Sequence, residues 1–355
     1  MNKQQAGQSE KQEEEVTGLV CLEADLQDGQ MREVAVDDQK VLLVRIQGQY
    51  SAVGSRCSHY SAPLIKGALV GDRVRCPFHG ACFNVRTGDI EEYPGLDSIP
   101  CYKVKVEDGK VYVTINKKSL TLTKRVKEMC AIQPGTKHTV LLIGGGPASL
   151  VCAETLRQNC YPGHIVIVTK DSLPPIDKPK LSKAMNLESS SILLRSAGSK
   201  VAVDSGKAVI VDKYMRTNIP DIFSAGDVTS FPLSIRGDQQ VNIGHWQMSH
   251  SHGKVAALNM LKKPTKIESV PFFWSALAGK SIRYTGYGEG YTEIIVKGKV
   301  EERKFLAFYI KDEEVVAAAS LMFDPAVAQV AELMAEGKNI TKKQAQSDDL
   351  SWLQM

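Results

Sequence analysis

Between residues 57 and 80 the chain reads CSHYSAPLIKGALVGDRVRCPFHG, which sets Cys57 one residue from His59 and Cys76 two residues from His79. Thiolate and imidazole both bind metals, and here they come as two mixed pairs, C-x-H and C-x-x-H. A structural zinc usually takes its ligands like with like, as C-x₂₋₄-C and H-x₃₋₅-H, and it stands as the alternative. A [2Fe–2S] cluster with two thiolates on one iron and two imidazoles on the other can be held by two similar loops, each giving one Cys and one His. The mixed pairing follows from that asymmetry. Pro63, Pro77 and Gly80 suit tight loops that turn backbone N–H groups toward the sulfides.

A second chemistry is written at Gly144-Gly145-Gly146-Pro147-Ala148-Ser149, which follows the apolar run TVLLI and opens an amphipathic pattern. The first glycine permits a tight turn, and the second lets backbone approach a pyrophosphate held at a helix N-terminus. Ser149 stands in place of the third glycine. Asp171, at the end of HIVIVTK, is placed to bond an adenosine ribose. A glycine turn without a ligand is the alternative reading.

These motifs need elements to position them. Residues 17–115 alternate with period two, and Asp108-Gly109 between two such runs predicts a hairpin. Residues 1–16 (polar and Glu-rich) read as a disordered tail, and 116–137 as a basic linker. From 138 a buried strand, glycine turn, helix and second buried strand predict a βαβ unit within 138–265, with a further buried strand near 222. Residues 266–355 carry antiparallel strand patterns and an Ala-rich helix. The expected fold class is multidomain: all-β, then an abbreviated Rossmann-like α/β domain, then α+β.

Composition excludes several classes. A net charge of +4 over 355 residues, with basic residues scattered, gives nucleic-acid binding no support. No apolar run reaches the roughly 18 residues of a membrane span. Eight cysteines in a chain this long do not make a disulfide framework; Cys21, Cys101, Cys130, Cys152 and Cys160 read as ordinary thiols in a reducing compartment.

The Cys–His loops resemble those of Rieske ferredoxins over residues 17–115. That resemblance implies Cys57 and Cys76 on the buried iron and His59 and His79 on the outer one. Ala62 and Phe78 fill the places of the bridging cysteines in quinol-oxidising members, and Ala81 that of a serine donor to sulfur. The loss implies a potential toward the low end of the Rieske range of about −150 to +300 mV. Cys82 lacks its bridging partner and reads as structural.

TNIPDIFSAGDV, ending in Gly226-Asp227, and PPIDKPKLSK at 174–183 resemble ferredoxin-reductase-type flavoproteins. The implied ligand is FAD, with Asp227 on the ribityl chain, Lys178 where the family has an arginine, and Lys183 beside the flavin. The helix that starts in VNIGHWQMSHSHGKVAALNM would point its N-terminus at the flavin near His245 and Trp246, with His250 and His252 solvated. Together with SIRYTGYGEG and DLSWL, the order of motifs resembles the apoptosis-inducing-factor-like family, in particular members with an N-terminal Rieske domain. The resemblance implies electron flow from NAD(P)H through FAD and the cluster to an outside acceptor, in mitochondria or alternatively the cytoplasm. Only one glycine fingerprint is present, because GYGEG at 286–290 follows no buried strand and opens no helix. An inserted nucleotide domain of on the order of 100 residues is missing near 198–199, as in a splice form or a faulty gene model, and with it the NAD(P)H site. A non-catalytic iron–sulfur or cell-death signalling protein is therefore the alternative function.

Overall fold

The computed structural model describes residues 14–170, 201–277 and 279–354. Asp171, Lys178, Lys183 and the junction expected at 198–199 lie outside the described residues, as do residues 1–13.

The first region is a six-stranded antiparallel sheet in the order Glu15–Leu22, Lys110–Asn116, Cys101–Glu107, Gln49–Gly54, Gln39–Ile46, Gln30–Val36. The first strand begins at Glu15, two residues before the boundary read from the sequence. Asp108 and Gly109 both have positive φ and close the hairpin between Cys101–Glu107 and Lys110–Asn116. The strand Gln39–Ile46 explains how this sheet carries the Cys–His loops. Its alternation sends Val41 and Leu43 into the core of the large sheet. Leu42 and Val44 go the other way, into a core shared with Cys57, Cys76, Ala62, Ala81 and Phe83. All four are fully buried. Each such side chain contributes roughly 1.5–3 kcal/mol of apolar burial, so one strand fastens both layers. The second layer is a four-stranded sheet, Ala68–Val70, Arg73–Arg75, Cys82–Asn84 and Ile90–Glu92.

In the middle region, Thr139–Ile143 pairs in parallel with His164–Val168, connected through helix α1, Pro147–Gln158. Both strands were expected to be buried. Leu141, Ile143, Val166 and Val168 are instead 44–57% exposed, because α1 covers one face of the pair only. The buried strand expected near residue 222 does not form. Phe223 makes a single bridge to Arg216, and the strands are Val209–Ile210, Thr229–Leu233 and Gln239–Asn242. With no described neighbour to complete a parallel sheet there, the apolar run turns back on its own loop.

Helix α2, Trp246–Met260, crosses α1 at Gly253, where a Cβ would lie 2.3 Å from the Ala148 carbonyl oxygen. Only glycine permits that approach. The C-terminal region is a five-stranded antiparallel sheet running Phe272–Leu277, Lys280–Gly286, Glu314–Leu321, Lys304–Lys311, Glu293–Lys299. Helices α3 (Ala326–Ala335) and α4 (Lys342–Gln346) belong to the same region, and α3 packs in its core. GYGEG begins at the last residue of the half-buried strand Lys280–Gly286 and opens no helix.

Candidate functional site

The two Cys–His loops have the same backbone construction. Cys57 N–H donates to the Ala62 carbonyl (2.9 Å) and Ser61 N–H to that of Cys57 (2.9 Å); Cys76 N–H donates to Ala81 (2.8 Å) and Gly80 N–H to Cys76 (3.1 Å). Ser61 and Gly80 occupy equivalent left-handed positions, with φ of 54° and 77°. Two matched turns therefore present two sulfurs side by side. Both cysteines are buried. The hydrogen bond from Cys57 holds the Cys76 thiol below its usual value against burial, helped by the N–H groups of Phe78 and His79. Cys57 is pushed up by that same bond and by burial, against the N–H groups of His59 and Tyr60.

The imidazoles form the second pair, with His59 and His79 ring centroids 4.9 Å apart. Among the described residues no three His, Cys, Asp or Glu side chains converge on one metal ion. Donors sorted as a thiol pair and an imidazole pair suit two irons with different ligands better than one tetrahedral zinc. The residues present fit a Rieske-type cluster, with backbone N–H groups aimed at both sulfurs.

The histidine edge faces the rest of the chain. Trp274 lies 5.0 Å from His79 and 6.4 Å from His59, and 5.2 Å from His245, all centroid to centroid. Tyr60 also packs on the pair, 4.1 Å from His59 and 5.4 Å from His79, and is 45% exposed. Gly80 abuts Phe272, where a Cβ would lie 2.5 Å from the ring. Arg283 Nε donates to the Pro77 carbonyl (3.0 Å), and Lys254 Nζ to that of Glu91 (3.2 Å).

The glycine motifs converge on a second place. Gly144 turns with φ of 110° and donates to the Val168 carbonyl (2.7 Å), Gly145 packs on Thr169, and Gly146 caps α1 with Pro147 in its first turn. A Cβ on Gly226 would lie 3.4 Å from Ala148 Cβ, and Ser249 Oγ donates to Asp227 Oδ1 (3.1 Å). Thus Gly144, Gly145, Gly146, Pro147, Ala148 and Asp227 are brought to one end of α1 and α2, a cradle that fits a dinucleotide. His245 caps α2 and Trp246 begins it. Burial pulls His245 down to about 4, so it is neutral at pH 7.

His250 and His252, expected in solvent, are buried. Helix α2 is covered by α1, by Tyr93 against His250 (5.1 Å) and by Phe231 against His252 (4.4 Å). His252 Nδ1 accepts from Gly226 N–H (3.2 Å). The sequence reading also missed Trp274, Phe272, Arg75 and Glu332. A lone Glu in AVAQVAELMA was the one visible signal among them.

Residues 17–103 match the Rieske [2Fe-2S] domain family, 187–253 the pyridine nucleotide-disulphide oxidoreductase family and 272–352 the reductase C-terminal family. Apoptosis-inducing factor 3 of Homo sapiens is 32% identical, with 95% of this chain and 88% of that protein covered. That alignment runs over 533 positions although the chain has 355 residues, so stretches of the relative have no counterpart here. Ferredoxin CarAc of Metapseudomonas resinovorans is 38% identical over 28% of this chain and 94% of its own. A solved complex of reduced oxygenase and oxidized ferredoxin in carbazole 1,9a-dioxygenase matches at 36% identity and a TM-score of 0.27, over 28% of this chain and 92% of that one. The chain belongs to the apoptosis-inducing factor 3 family, as an FAD-dependent Rieske iron–sulfur oxidoreductase.

Proposed function

We propose that the chain passes electrons internally between FAD at the glycine cradle and a [2Fe–2S] cluster on Cys57, Cys76, His59 and His79. The observation that carries this reading is the unbroken aromatic series His79–Trp274–His245, with neighbouring centroids 5.0 and 5.2 Å apart. When bound, FAD supplies the conversion between two-electron and one-electron chemistry, and the cluster a one-electron carrier.

The chain's own residues do the positioning. Trp274 stands between the imidazole pair and His245 at the start of α2. His245, neutral at pH 7, adds no charge at that N-terminus. Asp227 and Gly226, tied to α2 through Ser249 and His252, hold the far end of the cradle. Tyr60 supports an outlet to an outside acceptor, since it is the exposed aromatic on the imidazole pair.

The missing stretch of the alignment supports a second point: the nicotinamide domain is absent, and NADH has no seat. Hydride transfer needs the two rings within about 3–3.5 Å. Excess NADH without oxygen should leave the flavin oxidised for minutes, while dithionite reduces flavin and cluster. Rapid bleaching by NADH would defeat this reading, and zinc without iron and acid-labile sulfide would defeat the cluster assignment. From the relative's name we carry over a role in apoptosis, and from the family resemblance a place at the mitochondrion; loss of the cell-death effect in Cys76→Ser tests the first and cell fractionation the second.

A further inference from the structure

We propose that Glu332 of α3 is a positioning residue that acts through Arg75 to hold the His79–Gly80 loop against the C-terminal region. The strand Arg73–Arg75 puts both arginines on one face, two residues apart. Arg75 is 0% exposed, and a buried guanidinium survives only when its charge and donors are matched. Its Nε bonds Glu332 Oε1, Nη2 reaches Glu92 Oε2 (3.3 Å), and Nη1 donates to the Gly80 carbonyl (2.9 Å). Arg73 lies beside the same two carboxylates, Glu332 Oε2 (3.6 Å) and Glu92 Oε1 (3.5 Å), and beside Glu91 Oε2 (3.2 Å).

Each of the three regions contributes to this charged set, of which Arg75, Glu92 and Glu332 are buried and the others half-buried. Arg73, Arg75, Glu91 and Glu92 come from the first, Lys254 from α2, and Glu332 from α3. Three cations face three anions. Glu332 is 0% exposed in a helix otherwise built of Ala, Val, Leu, Met and Gln, so an apolar residue would be the default there. The carboxylate makes sense as the counter-charge for Arg75. Arg75 in turn grips Gly80, which follows His79 and presses on Phe272. Removing Glu332 leaves Arg75 with Glu92, on its own region, as its carboxylate partner, and the pull of Arg75 across the interface is gone.

The purpose of this clamp rests on the electron-transfer reading, because a fixed His79 keeps its contact with Trp274. The test is hydrogen exchange by mass spectrometry on the full-length chain, loaded and after cluster removal, with a redox titration of the loaded form. In Glu332→Gln, amides of residues 76–82 and of α3 should both exchange about tenfold faster or more. The cluster midpoint should rise, since two arginines beside Cys76 have lost a counter-charge. Glu332→Asp should recover part of both changes. Arg75→Met with Glu332→Leu guards against misfolding: an apolar pair restores α3 protection, while residues 76–82 stay fast because Gly80 has lost its donor. Faster exchange confined to α3, or an unchanged midpoint with unchanged exchange at 76–82, overturns the proposal. Exchange in the cluster-free chain does not depend on electron flow, so the two readings fail separately.

Discussion

Replacing Gly80 by alanine probes whether the loop bearing His79 is pressed on the C-terminal region. The left-handed φ of 77° costs a non-glycine residue roughly 1–2 kcal/mol. About 0.4–1 kcal/mol returns through a less disordered unfolded chain. The new methyl would also lie 2.5 Å from Phe272 Cγ, and overpacking of that kind adds about 1–3 kcal/mol. Phe272 is fully buried, so its ring has nowhere to retreat. Gly109 supplies the control: its φ is 70° and nothing lies within 4 Å of its Cβ direction. Urea unfolding should therefore place Gly80→Ala about 2–4 kcal/mol below wild type and Gly109→Ala about 1 kcal/mol below. Adding Phe272→Leu to Gly80→Ala should recover part of the difference, as a coupled pair does. Equal costs at the two glycines, or no coupling to Phe272, would refute the docking of the two regions.

Trp274→Leu should leave iron, sulfide and dithionite reduction intact and slow flavin-to-cluster transfer in stopped flow by on the order of tenfold or more; an unchanged rate would remove Trp274 from the route. Glu154 lines a cavity of about 200 Å³ with Tyr93, Lys127 and Lys254, and burial, then Asp97, raises it from 4.5 to about 7. Its native form binds more protons than the unfolded chain, so its contribution is present below 4.5 and lost as pH rises through 7. Glu154→Gln should stabilise the chain at pH 8 by about 1–3 kcal/mol and change little at pH 4.5; the same gain at both would contradict this. Burial holds His250 and His252 down near 3 against an ordinary 6.5. They oppose protonation, so urea midpoints of Glu154→Gln should fall as pH drops from 6.5 toward 4, and a flat profile would count against their burial.

The candidate metal donors were legible because ligand chemistry is local. Cys57, His59, Cys76 and His79 sit on two turns whose Pro and Gly residues are written beside them, and alternation in VLLVRI or KVYVTI needs only neighbours to be read. The glycine cradle was legible for the same reason, since Gly144 requires its own φ whatever packs around it. Strand burial was not. TVLLI and HIVIV have the apolar character of strands covered on both faces, and only the tertiary structure decided that α1 covers one. His250 and His252 look like polar positions on a helix, yet α2 is enclosed by elements from three parts of the chain. Glu332 and Arg75 are 257 positions apart, and no period or motif links them. Pairings of that range are set by which surfaces meet on folding, where desolvation makes an unmatched charge too costly to keep.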